Sequence, residues 1–510
     1  MLLGSMIKSA YALWSGPVEM KHKYISIEKA QEKQLSRLLQ KAENTAFGEH
    51  YNFSKILKSE NIIQSFREAV PVHDYSSIYK KWWYRSLNGE SFVSWPGKVK
   101  YFALSSGTSE ASSKYIPVTD NMLRSIKRAS IRQLVRMVQY DFPLGFYEKG
   151  MLMIGGSTHL QYNGTYYEGD LSGITAASIP FWFQHFYKPG KKISRTSDWN
   201  TKLEEIIKKA PEWDIGVVVG VPAWVQILLE KIIETYNLKT IHDLWPNFKI
   251  IVHSGVAIQP YMKSFEKLFG KEIIFNESYL ASEGYIAMQS RKGIRGMDLI
   301  VDNGIFFEFV PFNEQNFDEE GDLRKNPQAL SLCEAEENKE YALLLSTNAG
   351  AWRYLIGDTV KIVNKKHAEI LITGRTKHYL SVCGEHLSQE NMNRAIELLQ
   401  NDLGIEINEF TVYAFPYKGR FAHQWYIGTN QKLDNDEAAR IIDFHLKNLN
   451  DDYRVERLEA VSHVFAEVIS PKVFLHYMEM KEKVGNANKF PRVLKNGRID
   501  EWVTFVKNQS

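Results

Sequence analysis

In residues 248–278, FKIIVHSGVAIQPYMKSFEKLFGKEIIFNES, an apolar run ends in a polar turn, and a second apolar run later ends the same way. Between them YMKSFEKLFG reads as a short amphipathic helix closed by Gly270, the expected C-cap. Working outward, IGVVVG at 215–220 and VKYFAL at 99–104 repeat the pattern of a strand running into a turn. Strands alternating with helices predict a parallel or mixed sheet covered by helices, with ligands at the carboxyl ends of the strands.

A chain of 510 residues is too long for one ordinary core, so a large domain and a smaller one are expected. Lys+Arg 63 against Asp+Glu 60 leaves a net charge of +3. No broad field then favours nucleic acid or an anionic membrane, and phosphate binding must be local. Cys333 and Cys383 lie far apart without CxxC spacing, which argues against disulfides or a zinc ribbon and fits a reducing cytoplasm. The start MLLGSMIKSAYALWSG has no basic run before its apolar part and carries Lys8 inside it, so no signal peptide is expected. Pro222 and Gln226 interrupt the apolar stretch 215–229, which reads as a strand followed by a helix and not as a membrane span. A soluble monomer or weak dimer is expected.

Ala30, Leu35, Leu38, Leu39 and Ala42 recur at helical spacing within 27–43. After Gly374 the texture changes. SQENMNRAIELLQNDLG reads as a helix capped by Ser388, and FTVYAFPYKGRFAHQWYIGT as a strand pair about a Lys418–Gly419 turn. The helix EAARIIDFHLKNL, the strand AVSHVFAEVI and a helical stretch near VFLHYMEM follow. The fold class is α/β: a large N-terminal domain (1–374) with mixed sheets covered by helices, and a smaller, mobile C-terminal α+β domain (375–510) across a short hinge.

Five stretches could carry chemistry. SSGTSEASSK, from Ser105 to Lys114, follows a strand and gathers hydroxyls, Gly107 and a lysine suited to polyphosphate. It reads equally as a Ser-rich surface turn, and it is not a GxxxxGK loop. In YLASEG, Glu283 beside Ser282 offers oxygens for Mg²⁺ and Tyr279 a ring for a base; alternatively Glu283 is a helix-start carboxylate. In WRYLIGD, Asp358 is placed either to accept from ribose hydroxyls or simply as a turn residue. GRTKHYLSVCGEHLS (374–388) is a basic turn at the domain junction, and NANKFPRVL places Lys489 among turn formers. His253 and His378 fall in no HxxxH, HExxH or Cys/His pattern, so a transition metal is not expected, and His253 reads as a packed polar residue. The aromatic stretches FPLGFYEKG and IPFWFQHFY are candidates for an apolar acyl pocket.

The order of these motifs resembles the adenylate-forming superfamily, and within it the Gretchen Hagen family of acyl acid amido synthetases, the plant auxin-conjugating enzymes and their bacterial relatives; a bacterial member is expected. SSGTSEASSK with YIPVT looks like the family's phosphate motif, YLASE like its Tyr-x-x-Ser-Glu motif, and WRYLIGD like its Tyr-Arg-x-Gly-Asp motif. WPGKVKYFALSSGTS, GVPAW and HSGVAIQPY are also similar, so the resemblance spans nearly the whole chain. It implies that Ser105, Ser106, Gly107, Thr108, Ser109 and Lys114 meet the triphosphate of ATP. Gly255, Val256, Ala257 and Tyr279 would meet adenine, Glu283 would hold Mg²⁺ and Asp358 the ribose. Arg375 or Lys377 would stand at the hinge, and Lys489 would be the mobile catalytic lysine. Ala111, Leu355 and His378 depart from the pattern, and Arg353 is the residue that could compensate for Leu355.

The resemblance implies a reaction in two steps, a small carboxylic acid becoming an acyl-adenylate and the acyl group then passing to an amine, that of an amino acid. The alternatives are an acyl-CoA or other thiol-directed ligase, and a non-catalytic adenylate-binding regulator that would need neither Lys489 nor Glu283.

Overall fold

The structure is a computed structural model describing residues 4–9, 11–12, 26–105, 114–177, 179, 183–255, 258–318, 321–376, 380, 387–418, 420–450, 453–454, 457, 461–481, 490–494 and 497–509. Its largest element is an 11-stranded mixed sheet. Gly150–Met153, Ile215–Gly220, Ile250–His253 and Ile274–Ala281 pair in parallel, with Tyr187–Lys188 at the edge. At Ile274–Ala281 the sheet changes character, because that strand turns back on itself into Gly284–Met288 as an antiparallel hairpin. From there Met297–Leu299, Glu369–Arg375, Tyr354–Asn364, Glu340–Thr347 and Ile305–Pro311 continue the antiparallel half.

The strand Ile215–Gly220 and the helix Pro222–Thr235 divide the apolar stretch as its proline requires, since proline suits the first helical turn. That helix and Trp199–Lys209 bury Val225, Leu228, Leu203 and Ile206 against one face of the parallel half. On the antiparallel half the helix Ile27–Ala42, capped by Ser26, buries Leu35, Leu38 and Leu39. Gln31 on the same helix satisfies backbone groups of Val301, Ile305 and Phe307, which fixes the helix to the sheet by hydrogen bonds as well as by packing.

Three sequence expectations are corrected. The helix Met262–Leu268 ends on Phe269 in extended conformation, and Gly270 is not its left-handed cap. What holds glycine there is space, since a Cβ would lie 2.8 Å from Thr240 Oγ1. The strand expected over 271–278 runs instead from Ile274 to Ala281, so most of YLASE is strand. Phe142, Phe146 and Tyr147 of the first aromatic stretch pack with Val217 and Ile250 in a core cluster and not in a ligand pocket; of the second, Tyr187 lines the cleft described below.

Beyond residue 387, Glu409–Tyr417, Arg420–Gly428 and Val461–Ile469 form a separate three-stranded sheet. Gln389–Leu403 carries the expected Ser388 N-cap, completed to a capping box by Asn391, and ends on Gly404 in the left-handed region, and with Asn435–Leu449 it encloses one core. Pro471–Met480 and a last helix unforeseen in the sequence, Gly497–Gln509, enclose a second around Trp502. The segment Gln400–Glu409, which leads from the helix Gln389–Leu403 into the sheet, docks on Tyr261–Ser264. Tyr261 donates to Glu409 at 3.0 Å, Asn408 to Ser264 at 2.7 Å, and Lys263 to the carbonyl oxygens of Gln400 and Ile405. Among the described residues no helix is long and apolar enough to cross a membrane.

Candidate functional site

A cleft of about 670 Å³ opens at the carboxyl ends of the parallel strands, where the fold class predicts a ligand. Lys114, Gly255, Tyr279, Ser282, Glu283, Asp358 and Arg375, drawn from four of the sequence motifs and the loop after His253, all line it. Ser106, Gly107, Thr108, Ser109, Ala111, Val256, Ala257, Lys377, His378, Cys383 and Lys489 lie outside the described residues. The backbone of Ser105 pairs with Lys114 across two antiparallel strands, and Lys114 lines the cleft.

Asp358 is the centre of the cluster. It faces Arg375 across adjacent strands, and Arg375 Nε donates to its Oδ1 at 2.8 Å. The Tyr279 hydroxyl donates to Oδ2. Each carboxylate oxygen keeps further acceptor capacity, so these bonds orient Asp358 without exhausting it. Burial, followed by the Asp358 charge, holds the Tyr279 proton in place by raising its pKa well above the usual range. Leu355 packs against Val310, Ala342 and Leu344 in a core cluster. Arg353 is not the substitute, because it turns inward to Glu308 at 3.0 Å and to the carbonyls of Arg67 and Val70.

Glu283 sits with Ser282 in the two-residue turn between Ala281 and Gly284, not at a helix start. Burial raises its pKa to about 7, opposed by the Lys114 ammonium and reinforced by Asp358. Lys114 itself stands 5.4 Å over the Tyr75 ring. Among the described residues no three His, Cys, Asp or Glu side chains gather as a metal cage. A lone buried carboxylate beside a lysine does fit Mg²⁺ held mainly through substrate phosphates, which needs no such cage.

The elevated Glu283 pKa makes a stability prediction with a definite sign. Its folded value lies above the ordinary carboxylate value, so its favourable contribution is complete below about pH 4.5 and lost as pH rises through 7. Glu283→Gln removes that cost and should stabilise the free protein at pH 8 by up to about 3 kcal/mol, with the gain fading toward pH 5. Denaturant midpoints at the two pH values measure it, and a variant less stable than the parent at pH 8 would contradict the assignment.

Several cleft residues escaped the sequence reading. Glu277 stands two positions before Tyr279 on the same face of its strand, and burial raises its carboxyl to about 7. Period-two alternation through NESY was the available signal. Arg492, the last residue of the run Phe490–Pro491–Arg492, is buried and donates to Glu409 at 2.5 Å. Lys202, Lys481 and Arg498 also line the cleft, and nothing local in sequence marks them. His253 is buried with its pKa lowered to about 4 by desolvation, as a packed neutral imidazole.

Comparison with known proteins gives a consistent answer. Family models described as the GH3 family N-terminal, central and C-terminal domains match residues 19–204 with 157–274, 299–373 and 390–498. A jasmonoyl-L-amino acid synthetase of Nicotiana attenuata is 21% identical over 75% of this chain and 76% of its own length. An indole-3-acetic acid-amido synthetase of Arabidopsis thaliana is 24% identical over 49% of this chain, which spans only 44% of that relative. Both are plant proteins, and neither supports the expected bacterial placement. The fold matches that of the GH3.15 acyl acid amido synthetase with TM-score 0.76 at 16% identity, covering 98% of this chain and 96% of that one. A 2-hydroxyisobutyryl-CoA ligase in complex with its acyl-AMP shares the fold with TM-score 0.62 at 11% identity, over 96% and 94% of the two chains.

Proposed function

Since this chain belongs to the GH3 family, we propose that it uses ATP to activate a small carboxylic acid as an acyl-adenylate and passes the acyl group to an amino acid. The observation that carries the reading is the convergence of Asp358, Tyr279, Arg375, Glu283 and Lys114 on one cleft at the strand ends. A carboxylate is a poor electrophile. In the first step its oxygen bonds to the α-phosphorus and pyrophosphate departs; in the second the amine nitrogen bonds to the carbonyl carbon and AMP departs.

In this reading Asp358 accepts from the ribose hydroxyls, held in aim by Tyr279 and Arg375. Gly255, whose φ of 91° is a glycine conformation, lets the loop after His253 approach the base together with Val256 and Ala257. Ser105, Ser106, Gly107, Thr108, Ser109 and Lys114 take the phosphates, and Lys489 enters from the C-terminal domain. Glu283, with Ser282 beside it, would hold Mg²⁺, which supplies neutralising charge to the phosphates when bound. Residues 1–374 form the adenylating body and 375–510 the mobile domain, with Arg375 or Lys377 at the hinge. A cytoplasmic monomer or weak dimer, binding neither nucleic acid nor membrane, completes the proposal.

Pyrophosphate release that depends on an acid, followed by amide formation with amino acids and not thioester formation with coenzyme A, tests the reading. A second measurement isolates the nucleotide site. ATP with magnesium at 100 times its Kd should add about 2.7 kcal/mol of stability. Asp358→Ala should shrink that gain relative to its own ligand-free state, and an undiminished gain removes Asp358 from the site.

A further inference from the structure

Past the Asp358 cluster the cleft continues to a second end, walled by apolar side chains that include Ile154, Leu171, Ile206 and Val221. Two opposite charges are set into that wall. Lys202, on the helix Trp199–Lys209, is only 4% exposed, and its ammonium donates to the Gly155 carbonyl at 3.3 Å. An ammonium has more donors than that single bond uses. Asp170 spends one carboxylate oxygen accepting from the Ser172 N–H at 2.7 Å at the start of the helix Leu171–Ala177. Burial pulls the Lys202 pKa down while the Asp170 charge pushes it up, so the two side chains feel one another.

The support beneath the pair is close-packed. A Cβ at Gly156 would lie 2.8 Å from Asp170 Cβ, and one at Gly155 3.0 Å from Ser172 Oγ. The Gly155–Gly156 turn is thereby pressed against the Asp170–Ser172 segment, which fixes the position of the pair at the end of the strand Gly150–Met153.

We propose that this end of the cleft receives an acid with an apolar body and a hydroxyl remote from its reacting carboxyl, the hydroxyl accepting from Lys202 and donating to Asp170. The inference rests on the adenylating reading, which assigns the Asp358 end to the nucleotide and leaves this end for the acid. A wholly apolar tail would strip water from a cation and a carboxylate oxygen without replacing its hydrogen bonds, which is costly. A second carboxylate on the acid would meet Asp170 with like charge. A hydroxyl satisfies both groups at once.

The test is acid-dependent pyrophosphate release with octanoate, 8-hydroxyoctanoate and octanedioate, and with 3-phenylpropanoate against its 4-hydroxyphenyl counterpart. In at least one hydroxylated pair kcat/KM should exceed that of the parent acid by about tenfold or more. Lys202→Met should bring that ratio to within about twofold of unity while the KM for ATP stays put. Asp170→Asn, which keeps an oxygen for Ser172, provides the same test should Lys202→Met fail to fold. Equal rates for every pair, a preference for octanedioate, or a ratio that survives both variants overturns the proposal. Absence of pyrophosphate release with any acid would instead overturn the adenylating reading, and this proposal with it.

Discussion

Replacing Lys489 by alanine is expected to slow adenylate formation by about 10²–10³, the cost of one well-aimed charge donor, and to leave transfer from pre-formed acyl-AMP near the parent rate. The residues just after it run along the cleft. Val412 donates its N–H to the Arg492 carbonyl at 3.0 Å, and Leu494 donates back to Val412 at 2.9 Å, so the segment from Phe490 is stitched to the edge of the C-terminal sheet. Phe490, Pro491 and Arg492 line the cleft, and Arg492 is clamped by Glu409. Were the proposed mobile domain to withdraw after adenylation, it would carry Lys489 away with it and separate the two half-reactions. Single-turnover assays of each step decide the matter: equal losses in both would mean a structural role, and no loss in either would retire Lys489 from the mechanism.

What the sequence disclosed about the fold followed from how local each signal is. Ser388 and Gly404 bound their helix through caps that involve only neighbouring residues, and both ends were found. Ile215–Gly220 is bounded by a proline two residues on, and it too was found to the residue. Gly270 misled because close approach to Thr240, a partner 30 positions away in sequence, leaves the same glycine as a helix cap would. Phe142 and Phe146 look alike as core or pocket until the sheet face they cover is known. In the site, Glu283 was legible because it follows a strand in a motif with turn residues, whereas Asp358, expected where its strand ends, lies within the strand Tyr354–Asn364. The bond from Arg375 to Asp358 was not legible, since it depends on the register of two strands. Lys202 and Asp170 share one wall only because the Gly155–Gly156 turn gathers the segments that carry them.

Glu308→Gln should cost about 3–5 kcal/mol of stability, the largest structural loss expected of a single conservative change here. Glu308 is 1% exposed and accepts from Arg67 Nε at 3.2 Å and from Arg353 Nε at 3.0 Å. Arg353 is itself buried and held at a φ of 43°, a left-handed conformation unusual for a bulky residue. Its N–H donates to Ser346 and its carbonyl accepts from His73, so its backbone is tied on both sides. Removing the Glu308 charge leaves the buried Arg353 without a carboxylate where water screens it poorly, while Arg67 keeps Glu334, and Arg353 precedes Asp358 by five positions on the same run of chain. Had this been an exposed pair, the expected loss would be about 1 kcal/mol or less. A double-mutant cycle with Arg353→Met separates the coupling from the loss of packing: the double variant should lose less than the two single losses added, by about 1 kcal/mol or more. Additive losses would show that Glu308 and Arg353 stabilise the fold independently, and a Glu308→Gln midpoint unchanged in urea would show that the ion pair contributes nothing.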